Sequence, residues 1–213
     1  MLELGLKLIA AYLLGSLSGA LLLGRAYGID LRTVGSGNAG ATNAMRTRGP
    51  GFAFWVALID VLKGVLAVTL VAAWVLPGVP IDPELPRDWL APLCGAAAVV
   101  GHVYPWWFDM RGGKGAATLL GVYGALAPEL VVPVVLVWLL TLTMTGYVGL
   151  ATILAAAIAP IYVATAIDDA PLLVFCVAMA IFIAYTHRSN IARLRAGTED
   201  RKERVMLGRR RKS

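Results

Sequence analysis

Nine small or polar residues run together as Gly35-Ser36-Gly37-Asn38-Ala39-Gly40-Ala41-Thr42-Asn43, and Arg46 follows one turn later. Glycines let a backbone bend so that successive N–H groups face an anion. A serine hydroxyl, the amides of Asn38 and Asn43, Thr42 and a guanidinium add donors. Ser36, Gly37, Asn38, Thr42, Asn43 and Arg46 are therefore candidate phosphate contacts. The competing reading is a polar turn with Thr42 or Asn43 as helix N-cap, but a cap needs one such residue, not nine. The run also matches GxGxxG. That fingerprint requires a strand before it, and what precedes this loop is an apolar helical segment, so a dinucleotide site is rejected.

A second run, Gly101-His102-Val103-Tyr104-Pro105, leads into Arg111-Gly112-Gly113-Lys114-Gly115-Ala116-Ala117-Thr118. Bare glycine amides and a lysine at a helix start attract phosphate through N–H groups and the helix dipole. Gly112, Gly113, Lys114 and Gly115 are the candidates, while Arg111 serves equally as an interfacial anchor and His102 reads as structural. A Walker A loop is excluded, since Phe108 stands where its first glycine belongs and Gly115 where it needs Ser or Thr. The third run is His187-Arg188-Ser189-Asn190, with Gly197-Thr198-Glu199 beyond it. In a continuing helix His187 and Asn190 share a face. Asp60 and Lys63, also three apart, lie inside an apolar segment where charge is costly and functional by default, so they pair with each other or bind substrate in a polar cavity.

The elements that must position these residues are apolar. The chain has 213 residues, 59% hydrophobic and 15% charged, with mean hydropathy +0.74. A bilayer core about 30 Å thick takes roughly 20 apolar residues per helix, so this length holds about seven short spans and no separate soluble domain. Hydrophobic runs place them near 3–24, 52–76, 89–107, 115–128, 130–145, 147–167 and 170–187, the first read as a permanent span. The expected fold is thus an all-α integral membrane protein, one polytopic domain over 1–213 with motif loops near 32–49, 101–118 and 186–200. With seven spans, these three loops share one side. That side carries Arg25, Arg32, Arg46, Arg48, Arg111, Lys114, Arg188, Arg193 and the basic tail, while the opposite loops hold only Arg87. The positive-inside rule then makes the C-terminus cytoplasmic and puts the N-terminus outside. The tail run Arg209 to Lys212 fixes topology or touches anionic headgroups.

A net charge of +6 without a nucleic-acid module argues topology, not nucleic acid. Cys94 and Cys176 sit in apolar runs and read as packing, and two distant histidines offer too few ligands for a metal. Neither an internal repeat nor an obligate protein partner is evident, although an organic-phosphate transporter would use similar basic loops.

The segments GSGNAGATNAMR, GHVYPWWFDMRGGKGAAT and HRSNIARLRAGTE resemble the three signature motifs of the acyl-phosphate:glycerol-3-phosphate acyltransferases, the bacterial PlsY family, in order and spacing over nearly the whole chain. Ala39 stands where the family usually has Pro, Arg111 where Lys is common and Ser189 where Glu is common. The resemblance implies a seven-helix enzyme of the bacterial inner membrane with no cofactor. It would transfer a fatty acyl group from acyl phosphate to the 1-hydroxyl of glycerol 3-phosphate, yielding lysophosphatidic acid and phosphate, the first acylation of phospholipid biosynthesis. Carried over residue by residue, it implies Ser36, Arg46, Lys114, His187 and Asn190 as catalytic candidates, with the amides of Gly112, Gly113 and Gly115 on the glycerol phosphate. Neither His187 nor His102 has an Asp five residues on, so the H-x4-D pair of thioester-dependent acyltransferases is absent.

Overall fold

In the computed structural model, which describes residues 1–207, the apolar segments form helices, and no strand occurs among the described residues. The basic run Arg209 to Lys212 lies outside them. The chain divides into two compact units, Met1–Ala127 and Pro128–Ser213. The first contains α1 (Leu2–Gly15), α2 (Gly19–Ala26), α3 (Ala41–Arg48), α4 (Pro50–Leu66), α5 (Leu90–Val103) and α6 (Ala116–Leu126). The second contains α7 (Val131–Thr145), α8 (Val148–Ala166), α9 (Ala170–Thr186) and α10 (Arg188–Arg195).

Each apolar run expected as a span has its helix, but the first is broken. α1 and α2 meet at 46° across Ser16–Ser18, where Ser16 Oγ turns back to donate to Tyr12 O at 2.8 Å. In lipid, backbone groups freed by such a break require partners from within the protein. Buried side chains of α4 supply them: Asp60 Oδ1 accepts from Gly19 N at 3.0 Å, and Lys63 Nζ donates to Leu17 O at 3.3 Å. By length and apolar composition three helical stretches suffice to cross a membrane, namely Pro50–Val71, Pro128–Thr145 and Val148–Ala166, or five if each bent pair is one span. At about 1.5 Å per residue, α5 and α6 are shorter than a hydrocarbon core.

Local sequence explains the helix ends. Gly49, at φ 82°, stops α3, and Pro50 opens α4 at a position where its missing N–H is no loss. α4 passes into a wider π-type turn at Ala67–Val71, and Lys7 of α1, buried, takes the nearby Ala72 carbonyl at 2.7 Å. Lys7 also pairs with Glu3 at 2.9 Å, and Glu3 receives the fork of Arg87 at 2.7 and 3.0 Å. Asp169 caps α9 through Leu172 N at 2.8 Å.

α4 and α6 pack backbone to backbone. A side chain on Gly64 or Gly121 would strike the carbonyls of Thr118 or Val61, so small residues set this approach, as in membrane bundles generally. A cluster of Ala20, Leu21, Leu31, Ala39, Ala44, Ala53 and Val56 packs α2, α3 and α4 around the glycine-rich loop and seats both its ends.

Candidate functional site

The first loop is organised by Asn43. Almost fully buried, it accepts Ser36 N at 2.8 Å through Oδ1 and donates Nδ2 to Leu31 O and Val34 O at 2.9 and 3.0 Å. Its amide thus shapes the loop that carries the other candidate residues. Neither Asn43 nor Thr42 caps α3, because Gly40 stands at the N-cap without a side-chain bond. Held in this way, Ser36, Gly37 (φ 70°), Thr42 and Arg46 are exposed, with Asn38 half-buried and Thr42 and Arg46 one turn apart on α3.

Arg32, counted from sequence only as a topological charge, ties this loop to the second. Its Nε and Nη2 grip Asp30 at 3.0 and 2.8 Å, and Nη1 donates to Phe108 O at 2.9 Å. That hydrogen-bonded guanidinium holds the Asp30 carboxyl below the usual carboxylate range against the opposing effect of burial, and Asp30 in turn raises Arg32. The bond to Phe108 secures a turn in which Asp109 and Met110 both adopt left-handed backbone, at φ 56° and 59°. Such conformations persist only where surrounding contacts enforce them.

Beyond that turn the glycines hold the chain against the end of α5. Gly112 N donates to Val103 O at 3.0 Å and Gly113 N to His102 O at 3.2 Å, so both amides close the turn upon the end of α5 instead of facing an anion. Gly113 is required for close approach: a side chain there would meet His102 Nε2 on one side and Ala39 O, from the first loop, on the other. Lys114 is half-buried, and Gly115, at φ 91°, is the N-cap of α6.

Asp60 and Lys63 pair with each other, Nζ to Oδ1 at 3.0 Å, with the two residues 1% and 3% exposed. His102 Nδ1 lies 2.9 Å from Lys63 Nζ and 3.3 Å from Asp60 Oδ1. Of the two sequence readings, pairing describes this cluster. Asp60 Oδ1 is the atom shared by these contacts, accepting also from Gly19 N at 3.0 Å.

In the second unit, the α9–α10 pair bends by 57° at His187. Buried His187 has Nδ1 2.8 Å from Ile183 O, a carbonyl that only accepts; Nδ1 therefore carries a proton, and in the neutral ring the lone pair is on Nε2. Asn190, also buried, donates Nδ2 to Glu199 Oε1 at 2.6 Å, while Arg193 Nε donates to Oε2 at 2.6 Å. Glu199, quoted in the third motif but given no role, is the residue that orients Asn190. Among the described residues no group of three His, Cys, Asp or Glu side chains can hold a metal ion.

Fold and site together define a multi-pass, all-helical integral membrane protein with its polar chemistry concentrated in loops between apolar helices. The family described as glycerol-3-phosphate acyltransferase matches residues 5–197. Proteins named glycerol-3-phosphate acyltransferase from Geotalea daltonii and Geobacillus kaustophilus are each 42% identical, over 91% of this chain and 94% and 93% of theirs. The crystal structure of PlsY (YgiH), an integral membrane glycerol 3-phosphate acyltransferase, in its glycerol 3-phosphate form is 35% identical with a TM-score of 0.80, covering 93% of this chain and 94% of that one. Its lysophosphatidic acid form gives 34% and 0.79 over the same shares. The chain belongs to the glycerol-3-phosphate acyltransferase family. It is an acyltransferase, and the organic-phosphate transporter reading is not favoured.

Proposed function

We propose that the protein transfers a fatty acyl group from acyl phosphate to the 1-hydroxyl of glycerol 3-phosphate, releasing lysophosphatidic acid and inorganic phosphate at the bacterial inner membrane, the first acylation of phospholipid biosynthesis. The observation that carries the site reading is the junction of the two glycine-rich loops, tied through Arg32 to Phe108 O and through Gly113 beside Ala39. This junction brings the loop bearing Ser36 and Arg46 and the turn bearing Lys114 into one polar region of the first unit. Lys114, with the N-terminus of α6, suits the phosphate of glycerol 3-phosphate.

In the reaction the substrate hydroxyl oxygen attacks the acyl carbonyl carbon, negative charge develops on the carbonyl oxygen, and the bond to the phosphate oxygen breaks. Cations aimed at those oxygens lower the barrier most, a role suited to Arg46 and Lys114, with Ser36 as a further donor. The lone pair on His187 Nε2 suits acceptance of the hydroxyl's hydrogen, and Asn190, held by Glu199, suits substrate orientation. Acyl phosphate is already activated, so no cofactor, metal or protein partner is required. A seven-span topology with the N-terminus outside puts the motif loops in the cytoplasm, where glycerol 3-phosphate is found. The donor assignment is tested by offering the purified protein palmitoyl phosphate or palmitoyl-CoA with labelled glycerol 3-phosphate. Labelled lysophosphatidic acid from the phosphate alone is expected, and product from the thioester alone would contradict the assignment.

A further inference from the structure

Two loops and a buried ion pair meet at one imidazole that the reaction itself does not use. An ammonium has three N–H groups, and Lys63 Nζ has three polar neighbours: Asp60 Oδ1 at 3.0 Å, Leu17 O at 3.3 Å and His102 Nδ1 at 2.9 Å, a nitrogen that also lies 3.3 Å from Asp60 Oδ1. For the third to accept, Nδ1 must hold the ring's lone pair, which puts the ring proton on Nε2. Nε2 is the edge turned to Gly113, at the point where a Gly113 side chain would also come within 2.6 Å of Ala39 O. The backbone of the same residue accepts Gly113 N at 3.2 Å. His102 is 3% exposed and is sealed behind the turn.

We infer that His102 is a positioning residue for glycerol 3-phosphate binding: Lys63 fixes Nδ1, and the Nε2 edge sets the spacing between the Ala39 end of the first loop and the Gly112–Gly115 turn, and so the place of Lys114. This rests on the reading that the Lys114 turn takes the substrate's phosphate. The ring touches no substrate, and its effect is transmitted through the turn packed against it.

Two substitutions separate the ring's edges. His102→Asn keeps an oxygen near the Nδ1 position, so Lys63 retains its third acceptor, but removes the edge facing Gly113. His102→Gln places an amide N–H near the Nε2 position. With palmitoyl phosphate as donor, His102→Asn raises KM for glycerol 3-phosphate by about tenfold while kcat stays within about threefold, and His102→Gln restores KM to within about threefold of wild type. An unchanged KM in His102→Asn, equal falls in kcat and kcat/KM, or identical behaviour of the two variants overturns the inference. Lys114→Ala, measured alongside, separates this from the site reading. Unchanged KM in Lys114→Ala defeats the phosphate site, whereas a raised KM there with wild-type KM in His102→Asn defeats only the role of His102. A readout independent of both histidine variants comes from the chain's having only two histidines. In untagged His187→Gln protein labelled with 15N-histidine, the single remaining imidazole carries its proton on Nε2; a proton on Nδ1, or on both nitrogens, overturns the inference.

Discussion

Side chains in this protein divide sharply between those that hold loops and those that the loops present. Asn43, Arg32 and Glu199 use their polar atoms on neighbouring protein groups, while Ser36 and Arg46 stand exposed at the loop they shape. Ser36→Ala and His187→Ala are expected to lower acyl transfer by about a hundredfold or more without loss of fold, as measured by product formation beside a thermal unfolding scan. The Asp60–Lys63–His102 cluster has the opposite signature. Asp60→Ala leaves the Lys63 ammonium buried without its carboxylate, and removing one partner of such a pair costs about 3–5 kcal/mol, visible as a marked fall in thermal stability in detergent. Gly113→Ala forces a Cβ against the His102 ring and Ala39 O, so a lower kcat/KM for glycerol 3-phosphate is expected in steady-state assays. Residue types at motif spacing pointed to Ser36, Arg46, Lys114, His187 and Asn190 because polar density amid apolar sequence is conspicuous. They did not distinguish Asn43 from Asn38, or a glycine that presents its amide from one that makes room for a ring, since both differences depend on which atoms meet after folding.

At the level of elements, the clamp of Arg32 across Asp30 and Phe108 O joins the loop before α3 to the turn before α6. Asp30's folded pKa lies below its unfolded one, so the clamp's stabilisation is fully present above the unfolded value of about 4 and is lost as pH falls through the lower folded value. Hydrogen exchange in residues 105–111 is expected to stay constant from neutral pH down to about 4, once corrected for intrinsic rates, and to accelerate below that. In Asp30→Asn the acid step disappears. An acid step unchanged in the variant would show that another group holds the turn. Hydrophobic runs and their bounding glycines and prolines marked most helix positions within a few residues, from Pro50 opening α4 to Gly146 closing α7 at φ 78°. The break at Ser16–Ser18 was hidden because apolar residues continue on both sides of it, and the partners that make it tolerable, Asp60 and Lys63, are distant in sequence.

For the whole molecule, basic residues crowd the loops proposed to carry the chemistry, which suits an enzyme that acylates glycerol 3-phosphate. The seven-span reading is checked by single cysteines in whole cells: Arg48→Cys is shielded from an impermeant maleimide and Glu84→Cys is labelled, with Cys94 and Cys176 silent because both are buried. Labelling at Arg48→Cys with none at Glu84→Cys would invert the topology. Composition established the membrane class early because few other environments accept a mean hydropathy of +0.74. Helix length says less, since α5 and α6 are too short to declare themselves as spans. The most direct test of the central claim is conversion, by protein purified in detergent, of palmitoyl phosphate and labelled glycerol 3-phosphate to labelled lysophosphatidic acid, with equimolar phosphate released. Product from wild type but not from folded Ser36→Ala or His187→Ala is the predicted result, and folded wild-type protein that makes no labelled lipid would contradict it.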